Sequence, residues 1–254
     1  MLAQSDMTGM VAIVTGAGSG LGKATALRLA DLGADLAIVD ISAEGLAATA
    51  EAARSKGRKV LELALNLADR ANCSAVIDRT ISEFGRIDAL CNVAGVLSSG
   101  PSETFPEDEW DLIIKVNLEA PFFLSRAAIP HMLENGGAIV NVSSSASFKA
   151  QAYFTAYCAS KAGLSHITRT MASEYIKTKI RINAVAPGGM PTPLAGNVGR
   201  AISEGDPELF ARLGNPRGFI EVEDVADTVA FLASPASRAF HGSIVAVDGG
   251  EIIY

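Results

Sequence analysis

The sequence predicts an α/β fold, a doubly wound parallel sheet of about seven strands with helices on both faces. Short apolar runs alternate with longer amphipathic segments along the chain. The apolar runs are nearly continuous, which is typical of strands buried on both faces of a sheet. Because strand and helix alternate strictly, right-handed crossovers within one parallel sheet are favoured.

The predicted elements cover most of the chain. Strands are expected at residues 11–15, 35–40, 59–65, 87–92, 138–143, 180–186 and 242–247. Helices are expected at 20–33, 43–56, 69–84, 106–134, 154–177 and 223–233. No repeat or linker interrupts this order, so we predict one domain over residues 1–254. The Gly- and Pro-rich segment 187–219 has a short helical piece near 198–213, and its length predicts a substrate lid at about 188–220.

The composition excludes several classes of function. The net charge is -7 and no basic run is present, which argues against nucleic acid or an anionic membrane as the main partner. No apolar run reaches the roughly 18 residues that a membrane span needs. No secretory signal is visible, and three cysteines without CxxC spacing indicate reduced thiols, so we expect a cytoplasmic protein. The histidines form no ligand pattern with these cysteines, and no metal site is predicted.

A glycine-rich turn follows the first predicted strand. It reads Thr-Gly-Ala-Gly-Ser-Gly-Leu-Gly-Lys over residues 15–23. Its glycines allow phosphate to approach the backbone closely, and the next helix offers free N–H groups to anions. The GxGxxG and P-loop spacings both fail, whereas GxxxGxG fits with Gly16, Gly20 and Gly22. Taken alone, the turn is explained about as well by a purely structural role.

Asp40 strengthens the case for a nucleotide. It ends the second predicted strand, 24 residues after Gly16, near the spacing at which an acidic residue meets the adenine ribose hydroxyls. Its carboxylate would also repel a 2′-phosphate, and neither Ala17 nor Ile41 supplies a compensating positive charge. We therefore predict NAD rather than NADP. The alternative is that Asp40 caps the helix that begins near Ser42.

A serine, a tyrosine and a lysine form a candidate proton-transfer group. Ser144 lies at the carboxyl end of the fifth predicted strand, Tyr157 follows by thirteen residues, and Lys161 is one helical turn further. A free phenol, with a pKa near ~10, is a poor base at neutral pH. A neighbouring ammonium group and the positive nicotinamide ring of NAD⁺ would lower that pKa. Ser143 and Ser145 are chemically equal candidates, and an ordinary Tyr–Lys pair on a helix face is the simpler alternative.

Together these motifs resemble those of the classical short-chain dehydrogenase/reductase family over nearly the whole chain. The series is Thr15-Gly-x-x-x-Gly20-x-Gly22, Asn92-Val-Ala-Gly95, Asn117, Ser144, Tyr157-x-x-x-Lys161, Pro187-Gly188 with Thr192, and Val247-Asp-Gly-Gly250. Each motif alone is weak evidence, whereas their joint order is specific. The resemblance implies a Rossmann-type fold, a nicotinamide cofactor and an enzyme acting on CH–OH or C=O groups.

The resemblance also implies roles for individual residues. Tyr157 would be the general acid/base, Lys161 would lower its pKa and hold the nicotinamide ribose, and Ser144 would position the substrate oxygen. Asn117 would kink its helix and hold a water that links Lys161 to solvent. The other residues expected at the cofactor are Gly16, Ser19, Gly20, Leu21, Gly22, Asp40, Ile41, Asn66, Leu67, Asn92, Ala94, Gly95, Pro187, Gly188, Met190 and Thr192. The family often has Asp-Val where this chain has Asn66-Leu67, and we expect a modest effect of that difference. The family's Asn-Asn-Ala-Gly appears here as Asn92-Val-Ala-Gly, which changes the hydrogen bonding of the turn but keeps the first Asn.

We predict an NAD-dependent oxidoreductase that transfers a hydride between nicotinamide and a secondary alcohol or ketone carbon. The runner-up is a 3-oxoacyl-thioester reductase; Asp40 argues against it because such enzymes usually prefer NADPH, although Arg200, Arg212 and Arg217 could hold an anionic carrier. A non-catalytic NAD-binding regulator is disfavoured because the serine, tyrosine and lysine are all present. A nucleotide hydrolase is disfavoured by the broken P-loop.

The substrate is expected to be a hydrophobic or alicyclic alcohol or ketone. Apolar candidates for the pocket wall are Leu97, Phe148, Tyr153, Leu194, Ile202, Leu209, Phe210 and Phe219, half of which could simply pack the lid. The resemblance implies a homotetramer, built through the helices near 106–134 and 154–177 and the C-terminal strand. The apolar tail at 252–254 fits burial at such an interface.

Overall fold

The predicted doubly wound sheet is confirmed. The computed structural model describes residues 5–196, 199–214 and 217–253, so Tyr254 of the apolar tail lies outside the described residues. Within them, the strands are β1 (Val11–Thr15), β2 (Asp35–Asp40), β3 (Val60–Ala64), β4 (Ala89–Asn92), β5 (Gly137–Val142), β6 (Ile180–Pro187) and β7 (Ile244–Val247). They form a 7-stranded sheet in the order β3-β2-β1-β4-β5-β6-β7, with every neighbouring pair parallel.

Three strands are shorter than predicted, each for a local reason. Residue 59 lies outside β3 because its backbone N–H donates to the Asp35 carboxylate, 2.8 Å away, instead of to a strand. β4 begins only at Ala89, after Asp88 has accepted the backbone N–H of Val11 at 2.8 Å. β7 cannot include Gly242, whose φ of 72° is left-handed rather than extended.

Helices connect the strands. They are α1 (Gly20–Asp31), α2 (Ala43–Arg54), α3 (Arg70–Phe84), α4 (Glu107–Ile114), α5 (Ala120–Met132), α6 (Thr155–Glu174), α7 (Gly199–Glu204), α8 (Pro207–Ala211) and α9 (Val222–Ala233). The helix predicted at 106–134 is divided by a π-helical turn, Lys115–Glu119. The piece predicted at 198–213 is two short helices, because Asp206 caps α8 by accepting the N–H of Glu208 at 2.8 Å. Residue 198 lies outside the described residues.

The sheet is buried on both faces, which explains the continuous apolar strands. In β1, Ala12 and Val14 pack into one core with α1, α2 and α9, whereas Ile13 packs into a second core with α3, α5 and α6. Side chains alternate between the faces of a strand, so both faces need apolar residues when helices cover both. Membrane-spanning helices are absent from the described part of the chain, since none of its helices is long and apolar enough.

The strand order changes direction at β1. This strand lies between β2 and β4. The chain runs from β1 to β2 on one side of it, and after β3 it crosses to β4 on the other side. In open α/β sheets, a ligand crevice forms at such a point, outside the carboxyl ends of the strands. The glycine turn after β1 and the residues after β4 lie at this edge.

Candidate active site

The glycine turn brings β1, α1 and the end of β4 into close contact. A Cβ added to Gly22 would lie 2.0 Å from the Gly16 carbonyl oxygen, and one added to Gly16 would lie 2.8 Å from the Ala94 Cα. Gly16 also has a φ of 70°, which side-chain-bearing residues rarely adopt. The hydroxyl of Thr15 accepts the N–H groups of Val93 and Ala94, both at 3.0 Å. The turn is therefore fixed against the edge of the sheet.

The N-terminus of α1 is open to an anion. Ser19 precedes the helix in an extended conformation, and its side chain makes no capping hydrogen bond. No acidic residue occupies the first turn. Thr192 from the segment after β6 lies beside Gly20, its Cβ being 3.5 Å from the position of an added Cβ. The residues present thus fit the pyrophosphate of a dinucleotide, which binds well at uncapped helix N-termini.

Asp40 braces the glycine turn and also holds Ser42, the residue that caps the next helix. One carboxylate oxygen accepts the N–H of Gly18 and the other accepts the N–H of Ser42, both at 2.9 Å. The neighbouring Ile41 side chain is 76% exposed. The cap of α2 is Ser42, whose hydroxyl accepts the N–H of Gly45 at 3.1 Å, so the helix-capping alternative for Asp40 is wrong and Asp40 only supports the cap residue. Within the described residues, Asp40 forms no salt bridge.

Four of the side chains predicted at the cofactor are used inside the protein instead. Leu21 and Leu67 are buried in the two apolar cores. The Asn66 side chain accepts the N–H of Ala68 at 3.0 Å and closes a turn. Asn92 is 2% exposed and donates to the Asn141 side chain at 2.8 Å. Only the main chain of Leu21, Leu67 and Asn92 is left for contact with a ligand, because their side chains are enclosed.

Asn117 lies in the π-helical turn and grips the chain after β4. Its side-chain oxygen accepts the N–H of Val96, and its amide donates to the Val96 carbonyl, both at 2.8 Å. The amide also donates to the Ser160 hydroxyl at 3.3 Å. The π-turn makes this possible because it widens the helix by one residue, as the bond from the Ala120 N–H to the Lys115 carbonyl shows. Asn117 therefore positions the segment that follows Gly95.

The structure separates the three serines after β5. The Ser143 hydroxyl donates to the Lys161 carbonyl at 3.1 Å and contacts the Ser165 hydroxyl at 2.7 Å. The Ser145 hydroxyl donates to the Glu251 carboxylate at 3.1 Å. The Ser144 hydroxyl accepts the N–H of Ala146 at 3.1 Å and lies close enough to Tyr157 to lower the pKa of its phenol. Ser144 is thus the serine that faces the tyrosine, which the sequence could not decide from chemistry alone.

Lys161 and Tyr157 lie side by side, but burial dominates their ionisation. The Lys161 ammonium is 5.7 Å from the centre of the Tyr157 ring and donates to the Val142 carbonyl at 2.8 Å. Burial lowers the pKa of Lys161 from 10.5 to about 8. Burial raises the pKa of Tyr157 to about 12, although the hydrogen bond with Ser144 opposes this. Burial is therefore the main influence on the pKa of Tyr157, and it acts against the lowering that the resemblance implied for Lys161.

The segment after β6 closes the other side of the crevice. Pro187 ends β6, and the Gly188 N–H donates to the Val247 carbonyl at 3.0 Å. A Cβ added to Gly188 would lie 2.9 Å from a carboxylate oxygen of Glu251. The sequence reasoning gave Glu251 no role. An acidic residue directly after Val-Asp-Gly-Gly, in an otherwise apolar tail, was the available signal.

Contacts of α7 and of the turn before α8 tie the described part of the predicted lid to the rest of the domain. The Arg200 guanidinium of α7 pairs with Glu109 of α4 and donates to the Ser98 hydroxyl at 3.0 Å. The Tyr153 hydroxyl accepts the N–H of Asp206 at 2.6 Å. Arg200 is therefore engaged within the protein, which contradicts the idea that it is free to hold an anionic carrier.

A cavity of about 470 Å³ lies between α7, α4 and the segment after β4. It is lined by Val96, Leu97, Ser98, Ser99, Glu109, Leu112, Ile113, Gly199 and Arg200. Of the predicted pocket residues, only Leu97 lines it. Phe148, Ile202, Leu209 and Phe219 expose their side chains instead. No group of His, Cys, Asp and Glu among the described residues could hold a metal ion.

Comparison with known proteins places the whole chain in one family. The sequence model described as enoyl-(acyl carrier protein) reductase matches residues 16–251. A 2-dehydro-3-deoxy-D-gluconate 5-dehydrogenase of Escherichia coli (strain K12) is 37% identical, over 98% of both chains. A 3-oxoacyl-(acyl-carrier-protein) reductase of Thermotoga maritima is 37% identical, over 97% of this chain and 99% of its own.

A solved structure agrees with these sequence relatives. It is a short chain dehydrogenase from Mycobacterium paratuberculosis bound to NAD, with a TM-score of 0.92 at 30% identity, covering 98% of this chain and 100% of its own. The family match, the relatives and the geometry of the crevice lead to one conclusion: the chain belongs to the short-chain dehydrogenase/reductase family of oxidoreductases, which act on CH–OH and C=O groups.

Proposed function

We propose that this protein is an NAD-dependent oxidoreductase of secondary alcohols or ketones in which Tyr157 is the general acid/base. One observation carries the assignment of residues. The Ser144 hydroxyl and the Lys161 ammonium both lie at Tyr157, whereas the hydroxyls of Ser143 and Ser145 are bound elsewhere. This arrangement lies at the carboxyl edge of the sheet, where open α/β sheets place their ligands.

Each side chain has a distinct part in alcohol oxidation. The Ser144 hydroxyl holds the oxygen that reacts, and Tyr157 takes the proton from that oxygen. NAD⁺ accepts the hydride when it is bound. In carbonyl reduction Tyr157 returns the proton to the same oxygen. Asn117 fixes the segment from Gly95 to Val96 beside these groups.

Lys161 is the positive charge that favours the Tyr157 phenolate. With a pKa of about 8 it is largely protonated at neutral pH, and the Val142 carbonyl orients its ammonium group. With a pKa of about 12, Tyr157 is protonated at neutral pH and so holds a proton to donate, whereas the phenolate that must accept a proton is scarce. Proton abstraction therefore needs further positive charge next to the phenol, which the oxidised nicotinamide ring supplies.

Asp40 supports NAD in preference to NADP. Its carboxylate lies at the glycine turn without a cation, and the exposed Ile41 offers no charge to a 2′-phosphate. We expect Asp40→Asn, which keeps an acceptor for the Gly18 N–H, to raise the kcat/KM ratio of NADPH to NADH at least about ten-fold, since a unit charge near a surface is worth more than about 1 kcal/mol at contact. Glu44→Gln, at an exposed position in α2, is the matched control. Wild-type preference for NADPH would contradict this proposal.

The cavity beneath α7 is not lined by Ser144, Tyr157 or Lys161, but it begins at Val96, which Asn117 holds, and its walls favour a neutral, largely apolar molecule. Leu97, Leu112 and Ile113 contribute apolar walls. The charge of Arg200 is matched by Glu109, so it does not favour an anionic carrier. The names of the two relatives refer to different substrates, a sugar acid and an acyl thioester. Sequence similarity therefore does not identify the specific substrate of this protein. The thioester reductase remains the second candidate on the strength of the Thermotoga maritima relative.

We further propose a cytoplasmic homotetramer with a lid over residues 188–220. Large apolar side chains are 37–50% exposed on and next to α4 and α5, and they support helix packing between subunits; they are Trp110, Leu112, Phe122 and Leu133. Ile253 in the tail is 89% exposed. The three cysteines are free thiols, which supports a reducing compartment. Size-exclusion chromatography with light scattering tests the assembly.

The central experiment is an NAD⁺-coupled absorbance screen of secondary alcohols, sterols and hydroxyacyl thioesters. We expect Tyr157→Phe to lower kcat by about 10²- to 10⁴-fold on the best substrate, the usual contribution of a general acid/base. Tyr153→Phe, in the turn just before α6, is the control and should keep a kcat near wild type. If Tyr157→Phe retains wild-type turnover, the acid/base assignment is wrong.

A further inference from the structure

Glu251 is a buried carboxylate to which the proposed mechanism assigns no part. It is 3% exposed and lies in the 3₁₀ turn Glu251–Ile253, directly after the last strand and its glycines. Carboxylates are rarely buried to this degree without a positive partner. Glu251 forms no salt bridge within the described ranges.

Two neutral donors hold this carboxylate beside the catalytic turn. The same oxygen accepts the Ser145 hydroxyl at 3.1 Å and the Gln151 amide at 3.3 Å. Ser145 follows Ser144 directly, and Gln151 lies in the segment that leads from Ser144 to Tyr157. The second oxygen lies against Gly188, where an added Cβ would be 2.9 Å away. Glu251 therefore joins the C-terminal turn to both segments that flank the crevice.

Four other ionisable groups surround this region on the described elements. From α6 these are Tyr157 itself, Lys161 and the half-buried thiol of Cys158. The fourth group is Asp248, in the turn before the C-terminal tail. Its carboxylate accepts the N–H groups of Gly250 and Ile252 at 3.0 and 2.9 Å. Lys161 is the cation among them, and its ammonium is directed to the Val142 carbonyl.

We propose that Glu251 is a positioning residue for the proposed reaction: it fixes Ser145, directly after Ser144, and Gln151, in the segment that leads to Tyr157, and it places a buried negative charge beside this catalytic turn. This inference rests on the proposed function only for its effect on turnover. The hydrogen bonds account for the geometry, because a carboxylate can only accept and so both donors must point at it. The charge accounts for the chemistry, because a negative group disfavours a nearby phenolate.

The ionisation of Tyr157 is consistent with this role. Burial is the main cause that raises its pKa, and the charges of Cys158 and Glu251 raise it further. Glu251 thus keeps Tyr157 protonated, which favours the proton-donating direction, carbonyl reduction. Lys161 and the oxidised nicotinamide ring act in the opposite sense.

The test is Glu251→Gln, which keeps the size of the side chain and an acceptor for Ser145 but removes the charge. ¹³C-tyrosine NMR measures the ionisation of Tyr157 without substrate, with Tyr157→Phe assigning the signal. At pH 10.5 we expect the phenolate-to-phenol ratio to rise about ten-fold, the effect of roughly one pH unit. The limb of kcat/KM for alcohol oxidation that rises with pH, on which the general base loses its proton, should move to lower pH by the same amount.

Ser145→Ala is the matched control, because it removes one hydrogen bond and leaves the charge. It should lower kcat without moving the ionisation of Tyr157. The proposal is overturned if Glu251→Gln leaves the ratio unchanged, or if Ser145→Ala changes it equally. If Glu251→Gln unfolds at pH 10.5, the pH profile of kcat/KM between pH 6 and 10 replaces the NMR measurement. The proposal is then overturned if Glu251→Gln leaves this profile unshifted or if Ser145→Ala shifts it equally. An NMR shift without turnover on any alcohol would uphold the role of the charge and refute the proposed function.

Discussion

Lys161 is expected to destabilise the folded protein at neutral pH. It is 3% exposed, and burial lowers its pKa from 10.5 to about 8, so its charged form is disfavoured in the folded state relative to the unfolded chain. The stability cost is therefore complete below about pH 8 and decreases as the pH rises from there towards 10.5. Lys161→Met removes the charge and keeps most of the volume.

The size of the effect follows from the two pKa values. At 1.36 kcal/mol for each pH unit, the difference between them corresponds to about 3 kcal/mol at pH 6.5 and about 1 kcal/mol at pH 9.5. Loss of the hydrogen bond to the Val142 carbonyl costs about 1 kcal/mol at either pH. We expect Lys161→Met to be more stable than wild type by about 2 kcal/mol at pH 6.5 and nearly equal to it at pH 9.5.

Urea unfolding at both pH values and at matched protein concentration measures this difference. The control is Lys177→Met, because Lys177 is exposed just after α6 and its replacement should not depend on pH. A Lys161→Met protein that is less stable than wild type, by the same amount at both pH values, would refute the argument. It would mean that the folded protein does not penalise the lysine charge.

Two further predictions concern the glycine turn and the lid. Gly22→Ala should weaken NAD binding at least about ten-fold and lower the melting temperature, because its Cβ would lie 2.0 Å from the Gly16 carbonyl oxygen and α1 must move. Fluorescence titration checks this, with Gly199→Ala, which has open space around it, as the control. Tyr153→Phe should raise KM several-fold and speed proteolysis within residues 199–214, because it loses the 2.6 Å bond to Asp206. Unchanged KM and proteolysis would show that this bond does not hold the lid.

The fold could be predicted because its signals are local. Continuous apolar strands such as β1 report burial on both faces, and strict alternation with helices leaves few possible topologies. The boundaries were less accurate where one local contact decides them. The left-handed Gly242 shortens β7, and the Asp206 cap divides the predicted lid helix. Neither contact leaves a periodic signal in the sequence.

The sequence singled out Ser144, Tyr157 and Lys161, and the structure places these three side chains together, whereas the contacts expected with the cofactor stay predictions. The spacing of Ser144, Tyr157 and Lys161 follows from one strand end and one helix, so the sequence contains it directly. Which side chains turn inward does not follow from spacing, as the enclosed Asn92 and the engaged Arg200 show. Their partners come from elements far away in the chain.

The sequence by itself determined the parallel α/β sheet, the glycine turn with Asp40 and the residues that could transfer a proton. Each depends on spacing within one element or on the turn between two. Only the tertiary structure decided which of three serines faces Tyr157, that burial raises rather than lowers the pKa of that tyrosine, and that Glu251 lies beneath the catalytic turn. These outcomes depend on desolvation and on contacts across the fold, up to 106 residues apart in the chain. Such contacts and solvent exposure arise from packing, which no local pattern encodes.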